Sequence, residues 1–295
     1  MPVHNRRSVT GCVALVVVIV LVFFTVLLTC HYSTVRRVSV WRRFWSHVIF
    51  TLSTVPWRVS TLPKVVDNLF AAVPDATVVL NIPFKLKRKQ EAYPPLPAAL
   101  IHHPKAAQIV VQRVEDVGPM TKSLPTFRMH NTLRTKFGSD AVVVIVDDDI
   151  LYKPEPMHSL LSFWTHLGAD GASTVVSNSN AVFMQWKPPF AIVEGFAGIV
   201  VPLAVCTDEL VATLASVVEQ PASEGGKAGC LTCDDMVLSW ALRRHNIQAQ
   251  QNHWIRNPLT WVGNSEIYDG DQGALKQQGH ADAYARCLVG LQAMT

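Results

Sequence analysis

The chain has 295 residues, of which 49% are hydrophobic and only 16% charged, with six cysteines. So low a charged fraction excludes a disordered chain, and sparse Gly and Cys exclude collagen-like and small disulfide-scaffold classes. The formal charge of +4 averages two unlike parts: residues 1–45 hold six Arg and no acid, leaving 20 basic against 22 acidic side chains in the other 250. A body with a slight acidic excess lacks the basic face that nucleic-acid binding needs.

Residues 12–30 are apolar apart from Thr25 and Thr29. As a helix rising about 1.5 Å per residue, this run spans a hydrocarbon core of ~30 Å. It is longer than the apolar stretch of a signal peptide and has no A-x-A cleavage site, so it reads as an uncleaved anchor behind a tail of residues 1–11. Arg6 and Arg7 flank one side, and Arg36, Arg37, Arg42 and Arg43 the other, so charge alone favours the topology opposite to a type II protein. Residues 31–72 mix paired arginines with Trp41, Trp45 and Trp57 and read as a juxtamembrane stem. The body is then 73–295, the size of one α/β domain, with no internal repeat and no N-x-[ST] sequon.

Within the body, β-branched and apolar runs predict strands at Ala76–Ile82, Gln108–Val114, Ala141–Val146, Ser173–Ser177 and Ile199–Val201. The run AVVVIV is apolar throughout, as in a central strand covered on both faces. Met157, Leu160, Leu161 and Trp164 fall at helical spacing and predict a helix over Glu155–Leu167. Thr207 caps a helix reaching Val218, and Asp234–His245 has acids at its start and bases in its last turn. Ile247–Gln250 returns to the sheet. Strands alternating with helices predict a three-layer α/β/α domain with a mostly parallel sheet, which binds ligands outside the carboxyl ends of its strands.

Asp147-Asp148-Asp149 stands at the end of the strongest strand. Three adjacent carboxylates repel one another unless a cation or solvent relieves them, and hard divalent ions favour oxygen ligands. In an extended tip Asp147 and Asp149 point one way and Asp148 the other. The plain alternative is a solvated acidic turn. Asp234-Asp235 opens a helix, where one acid caps and the other is placed to act as a general base. Lys122, in the turn Gly118-Pro119-Met120-Thr121-Lys122, supplies a lone cation, and Glu194-Gly195-Phe196-Ala197-Gly198 is a loop suited to close backbone approach. Cys206, Cys230, Cys233 and Cys287 allow one or two disulfides with the pairing open, or buried thiols in a cytosolic domain. A zinc site would need scattered partners such as Cys206 or His245. His253 and His280 are candidate nitrogen ligands, though a lone His is more often structural.

Taken in order, the blocks Val79–Pro83 (VLNIP), Glu115–Lys122 (EDVGPMTK), Val146–Tyr152 (VDDDILY), Glu194–Gly198 (EGFAG) and Cys233–Ser239 (CDDMVLS) make the chain resemble membrane-anchored, nucleotide-sugar-dependent glycosyltransferases of the GT-A fold with a DxD motif. The resemblance covers roughly residues 76–290. It implies a glycosyltransferase of hexosyltransferase type, with Mn²⁺ or Mg²⁺ held by Asp147 and Asp149, and His253 as a further ligand. Asp148, Lys122, Gly195, Phe196 and Gly198 would line the donor, a UDP-sugar in preference to a GDP-sugar. Asp235, or Asp234, would be the base for inverting transfer to a hydroxyl of a glycan, glycolipid or glycoprotein. It also implies a type II Golgi protein with a luminal body. A metal-dependent phosphohydrolase is the rival enzyme class, but neither a D-x-D-x-[TV] run nor an H-x-H cluster is present. An inactive anchored binding protein of the same fold is the non-enzymatic rival.

Overall fold

A computed structural model describes residues 47–179, 192–219, 230, 233–254, 280–292 and 294. The tail, the proposed anchor and residues 31–46 of the stem lie outside them. Among the described residues no helix is long and apolar enough to cross a membrane.

The first strand comes from the segment read as stem. Val48–Ser53 forms β1, buried along nearly its whole length. A tight helical turn over Pro56–Thr61 leads into α1, Leu62–Ala72. Leu62, Val65, Val66, Leu69 and Phe70 are all buried, so this part of the stem has a helical apolar period after all. Thr77–Pro83 is β2, followed by a small hairpin of β3 (Lys85–Leu86) and β4 (Glu91–Ala92). Then come α2 (Ala98–Ile101), β5 (Ile109–Val114), α3 (Leu124–Arg128), α4 (His130–Phe137) and β6 (Val142–Ile145). The chain continues through α5 (Pro154–His166), β7 (Thr174–Ser177), β8 (Ile199–Pro202) and α6 (Asp208–Val218). It ends with α7 (Asp234–Arg244), β9 (Gln248–Gln251) and α8 (His280–Gln292).

Among the described residues, seven strands form one sheet in the order β5-β2-β1-β6-β8-β7-β9. All neighbours run parallel except β8, which is antiparallel to both β6 and β7. The domain is thus mixed α/β with a mostly parallel sheet. Its start moves from residue 73 to His47, where the compact unit begins. Without β1, β2 and β6 would have no strand between them.

Side chains alternate across the sheet. Ile49, Val79, Val143 and Ile145 join one core with Leu124, Phe127, Leu210, Leu214 and Val237 from α3, α6 and α7. Phe50, Leu52, Val78, Leu80 and Val144, equally buried, point to the other face, on the side of α1 and α5, which pack together. Thr207 caps α6 by accepting from the Leu210 amide at 3.3 Å, as its position in the sequence predicts. The open cysteine pairing resolves to Cys230–Cys287, which ties α8 to the segment leading into α7. Cys206 is a buried thiol pushed up to about 12 by burial, and Cys233 is buried at the head of α7. His245 pairs with Thr213 Oγ1 at 2.8 Å.

Phe50 is among the largest fully buried side chains, on the central strand. Phe50→Ala should therefore cost about 3–5 kcal/mol in denaturant unfolding. A change within experimental error would mean that β1 is not part of the cooperative core.

Candidate functional site

The carboxyl edge of the sheet gathers both acidic groups. β1 and β6 stay paired one residue beyond β6, through the Val146 amide on the Thr51 carbonyl at 3.1 Å. The chain then leaves the sheet at Asp147. There the Asp147 amide donates to the Tyr152 hydroxyl at 2.9 Å, and this buried phenol donates on to the Gly195 carbonyl at 3.5 Å. The tip of β6 and the 194–198 loop are thereby stitched together. From the other side, α7 presents Asp234 and Asp235 in its first turn.

Lys122 holds the two groups together. Its Nζ lies 2.6 Å from Asp147 Oδ1 and 2.8 Å from Asp234 Oδ2, with only 11% of the side chain exposed. Burial alone would lower its proton affinity, but Asp147, Asp234 and Asp235 outweigh it and hold the ammonium well above the ordinary lysine range. The Gly195 amide donates to Asp235 Oδ1 at 2.9 Å. A Cβ on Gly195 would sit 2.9 Å from Lys122 Nζ and 3.2 Å from Asp235 Oδ1, so only glycine lets the backbone come this close. Burial, then the neighbouring Asp234 charge, push the Asp235 carboxyl well above the usual range. Gly198 closes the loop at φ +88°, where a Cβ would lie 3.2 Å from Leu160 Cδ2.

The middle of the triplet is occupied from within. Asp148 accepts from Thr54 Oγ1 at 2.5 Å on one oxygen and from Arg58 Nη1 at 2.8 Å on the other. The same Nη1 reaches Asp149 Oδ2 at 3.1 Å. Burial raises the Asp148 carboxyl despite Arg58 and Thr54. Asp149 is the most open of the three, with 36% of its side chain exposed. Burial and the charges of Asp147 and Asp148 push it up to about 6, against the pull of Arg58 and Lys122.

A buried polar stack fixes Lys122 from below. Thr51 Oγ1 donates to the Lys122 carbonyl and shares a hydrogen bond with Thr126 Oγ1 at 2.7 Å. The Asn81 amide donates to the same carbonyl at 3.1 Å and to Thr126 Oγ1 at 3.0 Å. Asp116 anchors the approach to the turn, accepting from the Gly118 amide at 2.9 Å and, across to the β3–β4 hairpin, from the Lys87 amide at 2.7 Å.

Of the residues picked from sequence, Asp147 and Asp234 both pair with Lys122, and Asp235, beside Asp234 in the same helical turn, accepts from the Gly195 amide. Asp148 and Lys122 are both engaged with protein groups: Arg58 offsets the charge of Asp148, and Lys122 that of Asp147 and Asp234. Phe196 is half-buried on the loop. His253 follows β9 and sets its ring edge-on against Phe163 of α5 at 4.8 Å. His280 begins α8, and its side chain lies outside the described residues. Sequence reasoning missed Arg58, Thr54 and Tyr152. The signal for the first two was the VIFTLS run before them, which marks a strand whose end faces the triplet.

Asp147 and Asp149 each have one carboxylate oxygen beyond those bonded to Lys122 and Arg58. That suits an ion held by two carboxylates and completed by phosphate and water. Among the described residues, no group of three or more His, Cys, Asp or Glu side chains is arranged to hold a metal by itself.

No family model matches the chain, and no curated protein matches it. Among solved structures it is similar to the crystal structure of galactosyltransferase LgtC in complex with donor and acceptor sugar analogs, at a TM-score of 0.39 and 12% identity, over 73% of this chain and 70% of that one. At that distance the site itself has to carry any functional conclusion.

The raised Asp149 carboxyl has a definite sign for stability. The folded chain binds this proton more tightly than the unfolded chain, so stability from this group is lost as pH rises from the ordinary carboxylate range through about 6. Asp149→Asn should melt higher than the parent at pH 7, with the gap closing toward pH 5. A gap that widens on acidification would contradict the arrangement.

Proposed function

We propose that the domain is a metal-dependent glycosyltransferase that moves a sugar from a nucleotide-diphosphate donor to a hydroxyl acceptor. The observation that carries this reading is the convergence of two acidic groups, Asp147–Asp149 and Asp234-Asp235, around the buried Lys122 at the carboxyl edge of a mostly parallel sheet. The fold it fits is GT-A-like, in keeping with the five sequence blocks.

In this reading Asp147 and Asp149 hold Mn²⁺ or Mg²⁺. When bound, the ion supplies a Lewis acid that neutralises charge on the departing diphosphate. Asp235 is the base. Its Oδ1 is oriented by the Gly195 amide at 2.9 Å, and a carboxylate whose proton affinity is raised by burial takes a proton more readily than an exposed one. The acceptor hydroxyl gives its proton to Asp235 as its oxygen bonds to the anomeric carbon, and the sugar–phosphate bond breaks on the opposite face. That displacement inverts configuration. Lys122 holds Asp147 and Asp234 in place through its two ion pairs, and Gly195 and Gly198 shape the loop bordering the sugar. The favoured donor is a UDP-sugar.

The membrane run at residues 12–30 makes this a single-pass protein, and we place the body in the Golgi lumen. The Cys230–Cys287 disulfide supports an oxidising compartment.

Purified full-length protein should bind uridine diphosphate with Mn²⁺ present and release it on chelation. Asp149→Ala should weaken that binding at least about tenfold, as expected for loss of one charged ligand. Asp235→Asn should keep donor binding while turnover falls about 10²-fold or more. Calorimetry and product release measure both. Binding that ignores the metal would overturn the reading.

A further inference from the structure

We propose that Arg58 is a binding residue for the donor's diphosphate, parked on Asp149 until the metal arrives. The inference rests on the glycosyltransferase reading and deepens it. Arg58 is 9% exposed and its position is built in. Its amide donates to the Val55 carbonyl at 2.9 Å, and its carbonyl accepts from Thr61 Oγ1 at 2.7 Å. The neighbouring Trp57 ring is covered by Lys89 Nζ at 4.0 Å. The guanidinium itself is anchored by Asp148, 2.8 Å from Nη1, and a fork fixed on one carboxylate loses little freedom when it takes up an anion.

Its contacts to Asp148 and Asp149 are unequal. Asp148 is shut in, with Thr54 at 2.5 Å on one oxygen and Arg58 at 2.8 Å on the other, and 11% of its side chain exposed. That contact is structural. The contact to Asp149 is longer, 3.1 Å, and ends on a carboxylate three times as exposed, at 36%. It is the exchangeable one. Asp149 would share a divalent ion with the donor's phosphates, and its charge would then be drawn away from Nη1. Nη1 would keep its hydrogen bond to Asp148 and turn its other N–H from the Asp149 carboxylate to phosphate. Arginine suits the task because its planar fork matches phosphate geometry. No bond is made or broken in this step beyond exchange of the hydrogen-bond acceptor.

The idea gives opposite signs for two ligands, which misfolding cannot mimic. In the full-length protein, Arg58→Gln should bind Mn²⁺ alone as tightly as the parent or tighter, since a competing cation has gone. The same variant should bind inorganic pyrophosphate at saturating Mn²⁺ at least about tenfold more weakly, the worth of one charge-assisted contact. Arg58→Lys should fall between. If Arg58→Gln fails to fold because Asp148 is stranded, the pair Arg58→Gln with Asp148→Asn removes both buried charges and carries the same expectations. Undiminished pyrophosphate affinity overturns the inference, and so does parallel loss of Mn²⁺ and pyrophosphate in a variant with a cooperative melt. A parent protein that binds no pyrophosphate with Mn²⁺ takes the glycosyltransferase reading down with it, whereas equal binding by parent and variants removes Arg58 alone.

Discussion

Repulsion among five carboxylates is the constraint around which this domain is arranged. Asp147, Asp148, Asp149, Asp234 and Asp235 meet at one edge of the sheet, and two buried cations keep them there. Taking either cation away would leave buried charge without compensation, which costs far more than the pair contributes. The cations are therefore as much a part of the site as the acids. They also divide the labour. Lys122 spans the gap between the two acidic groups, while Arg58 works within the triplet. The carboxyls of Asp149 and Asp235 are nonetheless raised, first by burial and then by the neighbouring aspartates.

Each cation is placed by a different part of the fold, so the site depends on the whole sheet. Arg58 follows β1, Asp147–Asp149 follow β6, and Lys122 is seated on Thr51 of β1 and Asn81 of β2. The loop carrying Gly195 precedes β8 and is stitched to β6 through Tyr152. Parallel strands end at a common edge, and this is the physical reason that groups far apart in sequence can meet there.

Much of this was legible beforehand where local signals were strong. AVVVIV read as a strand covered on both faces, and it is buried throughout, with the Asp triplet at its end. Met157, Leu160 and Leu161 gave the following helix, and Thr207 its successor's cap. The failures share a cause. VIFTLS is short, alternates only over its last four residues, and follows an arginine- and tryptophan-rich run, so its context hid it. Once β1 was lost, Arg58 lost its address and Asp148 its partners. The reversal of β8 was not legible because IVVP looks the same in either direction, which only pairing decides. The disulfide needed coordinates, since spacing alone leaves three pairings of four cysteines. The helical period in Leu62–Phe70 was present in the sequence and simply outweighed by its surroundings.

The central place of β1 also bears on how the chain reaches its native state. β1 is made early, and β2 follows soon enough to cover one edge, but the partner on the other edge is β6, in the register Val48 with Val142. Until that strand is synthesised, an apolar strand keeps an open ladder of amides and carbonyls, and the pairing that closes it spans almost a hundred residues. Such an intermediate is prone to stick to others of its kind. Docking of β6 ends that exposure and, in the same movement, delivers Asp148 to Thr54 and Arg58. Closing the open edge of β1 and giving Asp148 its partners are therefore one step, and a variant slow in the first will be late in the second.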